Sequence, residues 1–511
     1  MSEFYEKISP SQRIFLTVSL MVGVFMAILD TTIVDIIVPR LTGPLSTDLY
    51  GVQWVITSYM TAAATGILLV EWLESRIGLK KVFLIGLFLF TTSSFFAGRA
   101  NSLEWMITAR TFQGFGESLI VVSAEAMLFS AYPPYKRGLA MGIYGLGVSF
   151  APALGPTLGG WITELIEWRW VFYINIPIGI INFVSALFFL PEHKPKHSVS
   201  LNFISYFFIS VATVSLLIVL SKGQQHGWFS SDFIVKMSFL SLFSFLFFLL
   251  SEMLSRNKLV DPEIFKIKEF TIAFLVYCLL LGFSMYQVFY LLPLFYERLK
   301  GLPTFEAGLH ILPLALAVGI SSPIAGVISD KVSERLPLFI AVVLYLYASF
   351  FILPKFNYYT PSWESAFKLI ILGIGMGFFF APITNLALKK LGDKTTLGVS
   401  LMHYIRFVGG SFGTALATND IQRYMWENFQ RSTEIQNERI LSEFLEKISW
   451  LFWIGEKKVK ALFYQVEQLH AFSDSFMRTF FVAGLWGLLG SLPIFYLFFE
   501  LLYEKFIKKR A

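Results

Sequence analysis

The chain has 511 residues, of which 55% are hydrophobic and only 15% are charged, and its mean hydropathy is +0.64. This composition excludes an ordinary soluble globular protein, because such proteins carry about 25% charged residues. The formal net charge of +6 is accounted for by the membrane topology predicted below, so it does not call for a nucleic-acid partner.

Apolar windows of about 20 residues, the length that a helix needs to cross a bilayer, recur along the whole chain. Hydropathy predicts about fourteen such spans. They lie near residues 14–38, 52–71, 80–98, 103–131, 137–160, 169–190, 201–221, 232–252, 270–296, 304–328, 336–353, 364–388, 396–418 and 475–501. The predicted fold class is therefore an all-α polytopic membrane protein.

Lysine and arginine predict the orientation of these spans. They concentrate in alternate short loops, for example at Lys80 and Lys81, at Lys136 and Arg137, and again near the C-terminus. Because cytoplasmic loops carry the excess of basic residues, we expect both termini in the cytoplasm, which agrees with an even number of spans. The first span is longer than the apolar core of a signal peptide, so we interpret it as a transmembrane helix.

Two polar stretches, residues 191–197 and 256–268, divide the chain. They predict an N-terminal six-helix bundle at 1–190, a linker with two extra transmembrane helices at 191–268, and a C-terminal six-helix bundle at 269–511. Transporters built from two repeats have this kind of organisation, with the substrate site near the bilayer midplane between the halves.

The segment 420–473 is too long for a turn and too charged to span, and the predicted topology places it outside. Apolar residues recur in it at helical spacing, which predicts one or two amphipathic helices. These residues are Ile440, Phe444, Ile448 and Leu451, followed by Leu462, Val466 and Leu469. The apolar stripe either packs on the protein's own outer face or forms a docking platform for a periplasmic partner.

Asp30 and Arg110 are charged residues within predicted spans one and four. A helical rise of about 1.5 Å per residue places them at similar depths, about 12 Å and 10 Å from the outer ends of their spans. A charge at bilayer depth is costly and marks an ion or substrate path, or else forms a static pair that fixes helix packing. We predict that Asp30 and Arg110 neutralise each other and that protonation of Asp30 switches the pair.

Span four carries further polar residues on one face. Arg110, Gln113 and Glu117 are spaced i, i+3 and i+7, and Glu125 lies within about 60° of the same stripe. We predict Glu117 and Glu125 as further proton-coupling residues, and Gln113 as a residue of the substrate path. A carboxylate that is hydrogen-bonded to a neighbouring helix is the alternative for each of the two glutamates.

Three more ionisable residues are substrate-path candidates. Asp35 lies near the outer end of span one, whereas His403 and Arg406 lie in span thirteen, in the second half of the chain. A histidine at such a position can titrate near neutral pH. The sequence contains no phosphate-binding loop and no metal-ligand motif, so we predict neither a cofactor nor a metal.

Span five contains small residues and prolines in the run 147–160. Gly155, Gly159 and Gly160 allow close helix approach, and Pro156 frees a backbone carbonyl and bends the helix axis. We predict that this run is a pivot or a seal between the two halves, whereas simple packing is the alternative.

In the spans that carry these residues, the chain resembles the fourteen-helix drug:proton antiporter branch of the major facilitator superfamily. Within this branch it resembles the EmrB-type multidrug exporters. Residues 29–34 resemble the first-helix motif of this family, residues 110–116 its fourth-helix motif, and residues 155–160 its antiporter motif of helix five. Further similarity runs through residues 132–137, 170–177, 260–265 and 409–413. Any one of these motifs is weak, but their number and order are specific.

The resemblance implies proton-driven export of lipophilic, often aromatic or cationic drugs through the bacterial inner membrane. It also implies a periplasmic membrane-fusion adaptor and an outer-membrane channel as partners. The loop between helices two and three resembles the family's conformational motif at Arg76 and Gly78, but Ser75 stands at its usual aspartate position. Glu71 or Glu74 is the alternative carboxylate.

Two other functions remain open at this point. One is a proton-coupled importer of a small nutrient, which uses the same architecture. The other is a membrane enzyme or scaffold without transport, against which stands the lack of a nucleophile–base or metal grouping in the loops.

Overall fold

The computed structural model describes residues 5–192, 199–435 and 456–508, and the regular structure in these ranges is helical throughout. The first eight helices are α1 Pro10–Ile37, α2 Leu49–Ile67, α3 Val70–Ile77, α4 Leu79–Gly98, α5 Leu103–Ala131, α6 Arg137–Leu165, α7 Trp170–Tyr173 and α8 Asn175–Phe189. We refer to α1–α8 as the first helix group.

Two helices, α9 Phe203–Lys222 and α10 Asp232–Leu254, follow and pack on each other. The second helix group contains α11 Lys268–Val276, α12 Tyr286–Leu294, α13 Thr304–Lys331, α14 Arg335–Tyr347, α15 Ser362–Leu388, α16 Thr395–Ile435 and α17 Glu456–Lys508. A π-helical stretch, Tyr277–Met285, joins α11 to α12.

Within the described residues, 11 helical segments are long and apolar enough to cross a membrane, and the α2–α3 pair brings the number to 12. Predicted spans five and thirteen correspond to α6 and α16, helices of 29 and 41 residues that are not among these candidates. The all-helical membrane fold is therefore confirmed. The count of fourteen, the cytoplasmic termini and the division into 1–190, 191–268 and 269–511 stay predictions.

Local sequence signals explain several helix boundaries. Ser9 forms a capping box with Gln12 at the start of α1, and the side chains of Asp48 and Ser102 cap the starts of α2 and α5. The backbone of Gly78 has a φ of 84°, a conformation that a residue with a Cβ rarely adopts, and it separates α3 from α4.

The polar segment after predicted span two differs from the expected loop. Residues 70–77 form α3, whose axis is bent by 53° from that of α2. A helix is possible there because an acidic residue near its N-terminus and Arg76 in its last turn both complement the helix dipole.

The segment predicted as an external amphipathic region is helical where it is described. α16 continues without a break to Ile435, and α17 begins at Glu456 and packs along α16. Ile440, Phe444, Ile448 and Leu451 lie outside the described residues, as does the side chain of Leu462. Val466 is 43% exposed, and Leu469 packs against the core.

The two helix groups meet most extensively where α6 packs against α13. A Cβ added at Gly138 would collide with the backbone of Gly326, and one added at Gly142 would collide with that of Pro323. Small residues therefore allow the two helix backbones to approach closely. We call the end of the bundle where α6 and α16 begin the basal end, and the opposite end the apical end.

Candidate functional site

Asp30 and Arg110 form a buried ion pair between α1 and α5. Nη1 of Arg110 lies 2.5 Å from Oδ2 of Asp30, and both residues are 1% exposed. The predicted neutralisation of the two charges is thus present in the structure. A pair this deeply buried is costly to desolvate, so it persists only with further hydrogen bonds to its remaining polar atoms.

Amide side chains supply those further hydrogen bonds. Gln113 Nε2 donates to Asp30 Oδ1 over 3.0 Å, and Asn175 Nδ2 donates to the same oxygen over 2.6 Å. Gln113 also accepts from Arg110 and donates to Ser94 Oγ. The sequence-predicted Gln113 is therefore part of the ion-pair cluster.

The guanidinium of Arg110 also lies against an aromatic ring. Its Cζ is 3.9 Å from the ring centroid of Tyr59, and its Nε donates to the carbonyl of Val55 over 3.4 Å. This cation–π contact uses the planar, weakly hydrated character of a guanidinium. All of the contacts described for Asp30 and Arg110 come from the first helix group.

Glu117 lies about 10 Å from Arg110 along α5, in the direction of the basal end. It is 3% exposed, and its Oε2 has no hydrogen-bond partner among the described residues. Tyr59 of α2 and Arg406 of α16 both interact with this carboxyl group. Glu117 therefore stands between the Asp30 cluster and the second helix group.

Glu125 and His403 form a second buried pair, which joins α5 to α16. Glu125 Oε2 lies 2.5 Å from His403 Nε2, and both residues are 5% exposed. The hydroxyl of Tyr144 on α6 is 3.4 Å from the same histidine nitrogen. The sequence predicted Glu125 as a proton-coupling residue and His403 as a substrate-path residue. It did not predict that the two side chains meet.

A small cavity lies beside this pair, with a volume of about 20 Å³, which is room for about one water molecule. Tyr144, Tyr277, Phe380 and Arg406 line it together with the pair. Arg406 is 8% exposed, and its Nε has no hydrogen-bond partner among the described residues. A buried cation of this kind surrounded by tyrosines is a feature of ligand and ion paths.

The glycines predicted as a pivot pack between neighbouring helices. A Cβ added at Gly155 would overlap the side chain of Thr32 on α1, and one at Gly159 would contact Ile33. Gly160 faces the backbone of Phe305 on α13. The side chains of Pro156 and Asp35 lie outside the described residues, so their predicted roles stay predictions.

At the basal end, the two helix groups differ in how their charged residues are placed. Arg76 is exposed, whereas Glu74 is buried in α3, which packs on α16. In the second group, Asp330 accepts hydrogen bonds from the backbone N–H groups of Gly138 and Leu139, over 2.7 and 2.8 Å. An aspartate at a helix N-terminus is favourable because it meets the positive end of the helix dipole.

The basal loops carry a further ion pair, between Asp261 and Lys394, over 2.5 Å. The hydrogen bond to Asp261 raises the pKa of Lys394, so the lysine is charged at physiological pH. No group of His, Cys, Asp and Glu that is suited to hold a metal ion occurs in the described ranges.

Sequence reasoning missed several residues of the site. Asn175 and Tyr59 contact the Asp30–Arg110 pair, Ser94 accepts a hydrogen bond from Gln113, and Asp330 joins the helix groups. Asn175 falls within one of the family-like segments, 170–177, which was the available signal for it. The others are common residue types whose position only the fold defines.

Comparison with known proteins identifies the family. The model of the Major Facilitator Superfamily matches residues 20–414. The chain belongs to the major facilitator superfamily. Like other members of this superfamily it is a membrane transporter and not an enzyme, and its bacterial relatives and membrane-spanning helices make it a multi-pass protein of the bacterial inner membrane.

The similar members of the superfamily include multidrug export proteins. The chain is 30% identical to EmrB of Haemophilus influenzae over 423 residues, 81% of each chain. It is 30% identical to EmrB of Escherichia coli K12 over 421 residues, 82% of this chain and 81% of that protein. The fatty acid resistance protein FarB of Neisseria gonorrhoeae is 29% identical over 435 residues, 83% and 82% of the two chains. The predicted EmrB-type membership is confirmed.

Solved structures of the superfamily share the fold. The proton:xylose symporter XylE aligns over 96% of both chains with a TM-score of 0.60 at 14% identity. The human organic anion transporter MFSD10 covers 94% of this chain and 100% of its own, with a TM-score of 0.54 at 12% identity. These similarities concern the fold alone.

Proposed function

We propose that this transporter is a proton-coupled antiporter that exports lipophilic, often aromatic or cationic drugs by alternating access. The observation that carries the proposal is the buried Asp30–Arg110 pair, in which three side-chain donors converge on one carboxylate. A carboxylate held at this depth, with its charge balanced by a single cation, is a site that can exchange a proton or attract a cationic ligand.

Coupling follows from competition at Asp30. When Asp30 is ionised it pairs with Arg110, and when it takes a proton the pair loses one of its two charges. A cationic drug that claims the carboxylate displaces the proton, so binding of one favours release of the other. Glu117 and Glu125 extend this series of acidic groups along α5 towards the basal end. We assign these four residues to proton coupling.

Aromatic and polar residues on the second helix group support a role in the substrate path. His403 and Arg406 lie next to Tyr277 and Phe380 at the inter-group cavity. Flat aromatic surfaces accommodate lipophilic compounds of different shapes, and tyrosine hydroxyls add adaptable hydrogen bonds. The names of the similar proteins, multidrug export and fatty acid resistance, agree with lipophilic substrates.

A periplasmic adaptor that leads to an outer-membrane channel is the proposed partner. Where α16 and α17 continue past the bundle, they enclose an apolar groove of about 600 Å³. Its lining includes Met425, Trp426 and Phe429 of α16, and Trp426 is 61% exposed. An exposed apolar patch of this kind is typical of a protein–protein contact.

The adaptor proposal can be tested on the groove itself. Trp426→Gln should reduce co-purification of the exporter with its adaptor, because it removes the largest exposed aromatic surface of the groove. Phe229→Gln is a matched control, since Phe229 is 70% exposed in the α9–α10 connection and does not line the groove. Adaptor recovery that is unchanged by Trp426→Gln, or reduced equally by the control, contradicts docking at this groove.

The antiport proposal can be tested in inside-out membrane vesicles that contain the exporter. Acidifying the vesicle lumen should drive accumulation of a fluorescent lipophilic cation, and a protonophore should abolish the accumulation. A nutrient importer would instead move its substrate in the same direction as the protons. A scaffold or a membrane enzyme would show no gradient-driven movement at all.

A further inference from the structure

The Asp30 cluster lies entirely within the first helix group. The partners of the Asp30 carboxylate are Arg110, Gln113 and Asn175, from α5 and α8. Protonation of Asp30 therefore changes hydrogen bonds inside one group of helices. Alternating access requires that the two groups move relative to each other, so a contact between the groups must also respond.

The Glu125–His403 pair is a direct contact between the groups. It joins α5 to α16 across 278 positions of sequence, in surroundings almost free of solvent. His403 Nδ1 has no hydrogen-bond partner among the described residues, so a neutral imidazole places its proton on Nε2, where it donates to the carboxylate. With an ionised Glu125 the contact is a charge-assisted hydrogen bond, which weakens when Glu125 takes a proton.

We infer that Glu125 and His403 form a proton-operated lock, which holds the two helix groups together on the basal side of the Asp30 site and opens when Glu125 takes a proton. This inference rests on the proposed proton coupling and deepens it. Asp30 binds the proton that exchanges with the drug, whereas Glu125 converts protonation into a local opening between the helix groups.

The surroundings of the pair favour Glu125 as the group that changes its charge. The titratable and charged groups that interact with the pair are Tyr144 from α6, Tyr277 from the π-helical stretch and Arg406 from α16. Arg406 repels a second positive charge beside it, which leaves Glu125 as the member of the pair that exchanges a proton. The adjoining cavity has room for about one water molecule, which gives a proton access to the carboxylate.

A second contact between the groups is independent of the lock and limits how far the groups move when it opens. Asp330 of α13 accepts from the first backbone N–H groups of α6 at the basal end. Asp330 caps the N-terminus of α6, and this contact involves neither Glu125 nor His403. With the lock open, this contact still tethers α6 to α13, so the movement is a local opening beside the cavity.

The lock can be tested by thiol labelling in proteoliposomes. Cys278 is the chain's one cysteine, so Cys278→Ala provides a cysteine-free background. Met141→Cys then reports on the closed contact, because Met141 lines the cavity and is 1% exposed. Labelling of Met141→Cys is normalised to that of Tyr135→Cys, which is 69% exposed and corrects for the effect of pH on thiol reactivity.

We expect normalised labelling to rise about fivefold to tenfold between pH 7.5 and pH 5.5, since a charge-assisted hydrogen bond is about twice as strong as a neutral one. Glu125→Gln mimics the protonated acid, so its labelling should be high at both pH values. His403→Phe removes the donor from the other helix group and should give the same result, which keeps the test valid if Glu125→Gln does not accumulate. The double variant should add little to either single one.

One control sharpens the outcome. Glu263→Gln, at an exposed carboxylate of the basal loops, should keep the wild-type pH response. A wild-type response in Glu125→Gln or His403→Phe overturns the lock, as does loss of the response in Glu263→Gln. Labelling needs no drug, so a chain that shows the expected labelling but exchanges no drug for protons refutes the proposed function and leaves the lock supported.

Discussion

Replacement of Asp30 by asparagine is the most informative perturbation of the coupling site. The carboxylate accepts from Arg110 over 2.5 Å, from Asn175 over 2.6 Å and from Gln113 over 3.0 Å. An asparagine has a single acceptor oxygen, so its NH₂ group must face at least one of these donors. The variant keeps the size of the side chain but cannot exchange a proton.

The cost to stability can be bounded from the same contacts. Removal of one partner of a buried ion pair costs about 3–5 kcal/mol. In Asp30→Asn the guanidinium of Arg110 keeps Gln113 Oε1, the Val55 carbonyl and the Tyr59 ring, so we expect the low end, about 3 kcal/mol. The protein should therefore still insert and fold, with reduced thermal stability.

The assay compares two modes of transport by the purified variant in proteoliposomes. Drug movement driven by a pH gradient should fall to background. Exchange of an uncharged lipophilic drug without a gradient should persist, because it needs neither proton release nor the charge of Asp30. Asp48→Asn is the matched control, since asparagine caps a helix about as well as aspartate does. Gradient-driven transport at the wild-type rate by Asp30→Asn would refute the role of this carboxylate.

Three further substitutions test the surrounding geometry. Arg110→Lys should reduce gradient-driven transport at least tenfold, because an ammonium lacks the planar fork that bonds Asp30 and stacks on Tyr59; unaltered transport rates would contradict this. Gly155→Leu should stop turnover with little loss of drug binding, because the larger side chain overpacks against Thr32 at a cost of about 1–3 kcal/mol. A wild-type turnover number would show that the close contact is not needed. Asp330→Asn should weaken the basal contact by about 1–2 kcal/mol and increase Met141→Cys labelling at pH 7.5, whereas unchanged labelling would exclude this cap as a tether.

The sequence predicted the helical membrane fold and the central ion pair for clear physical reasons. A charge within an apolar run has few stable environments, so the similar depths of Asp30 and Arg110 predicted that the two residues pair. The same reasoning reached Gln113 through its helical spacing from Arg110. Family-like motifs then supplied the specific branch of the superfamily.

Other parts of the site depend on contacts between distant helices. Periodicity places Glu125 on a face of α5, but it does not indicate which helix that face meets, so the pairing with His403 could not be predicted. Asn175 and Tyr59 are uncharged, and therefore carry no cost that marks them in the sequence. Residues 70–77 contain four polar positions and resembled a loop, although tertiary packing on α16 makes them helical.

The central claim is that Asp30 exchanges its proton for a drug. Its most direct test is the proton release that follows addition of drug to weakly buffered proteoliposomes containing the exporter, measured with a pH-sensitive dye. Our account predicts saturable release by the wild-type protein and no release by Asp30→Asn, with exchange of an uncharged drug retained in the variant. Absence of release from the wild-type protein, or equal release from Asp30→Asn, would contradict it.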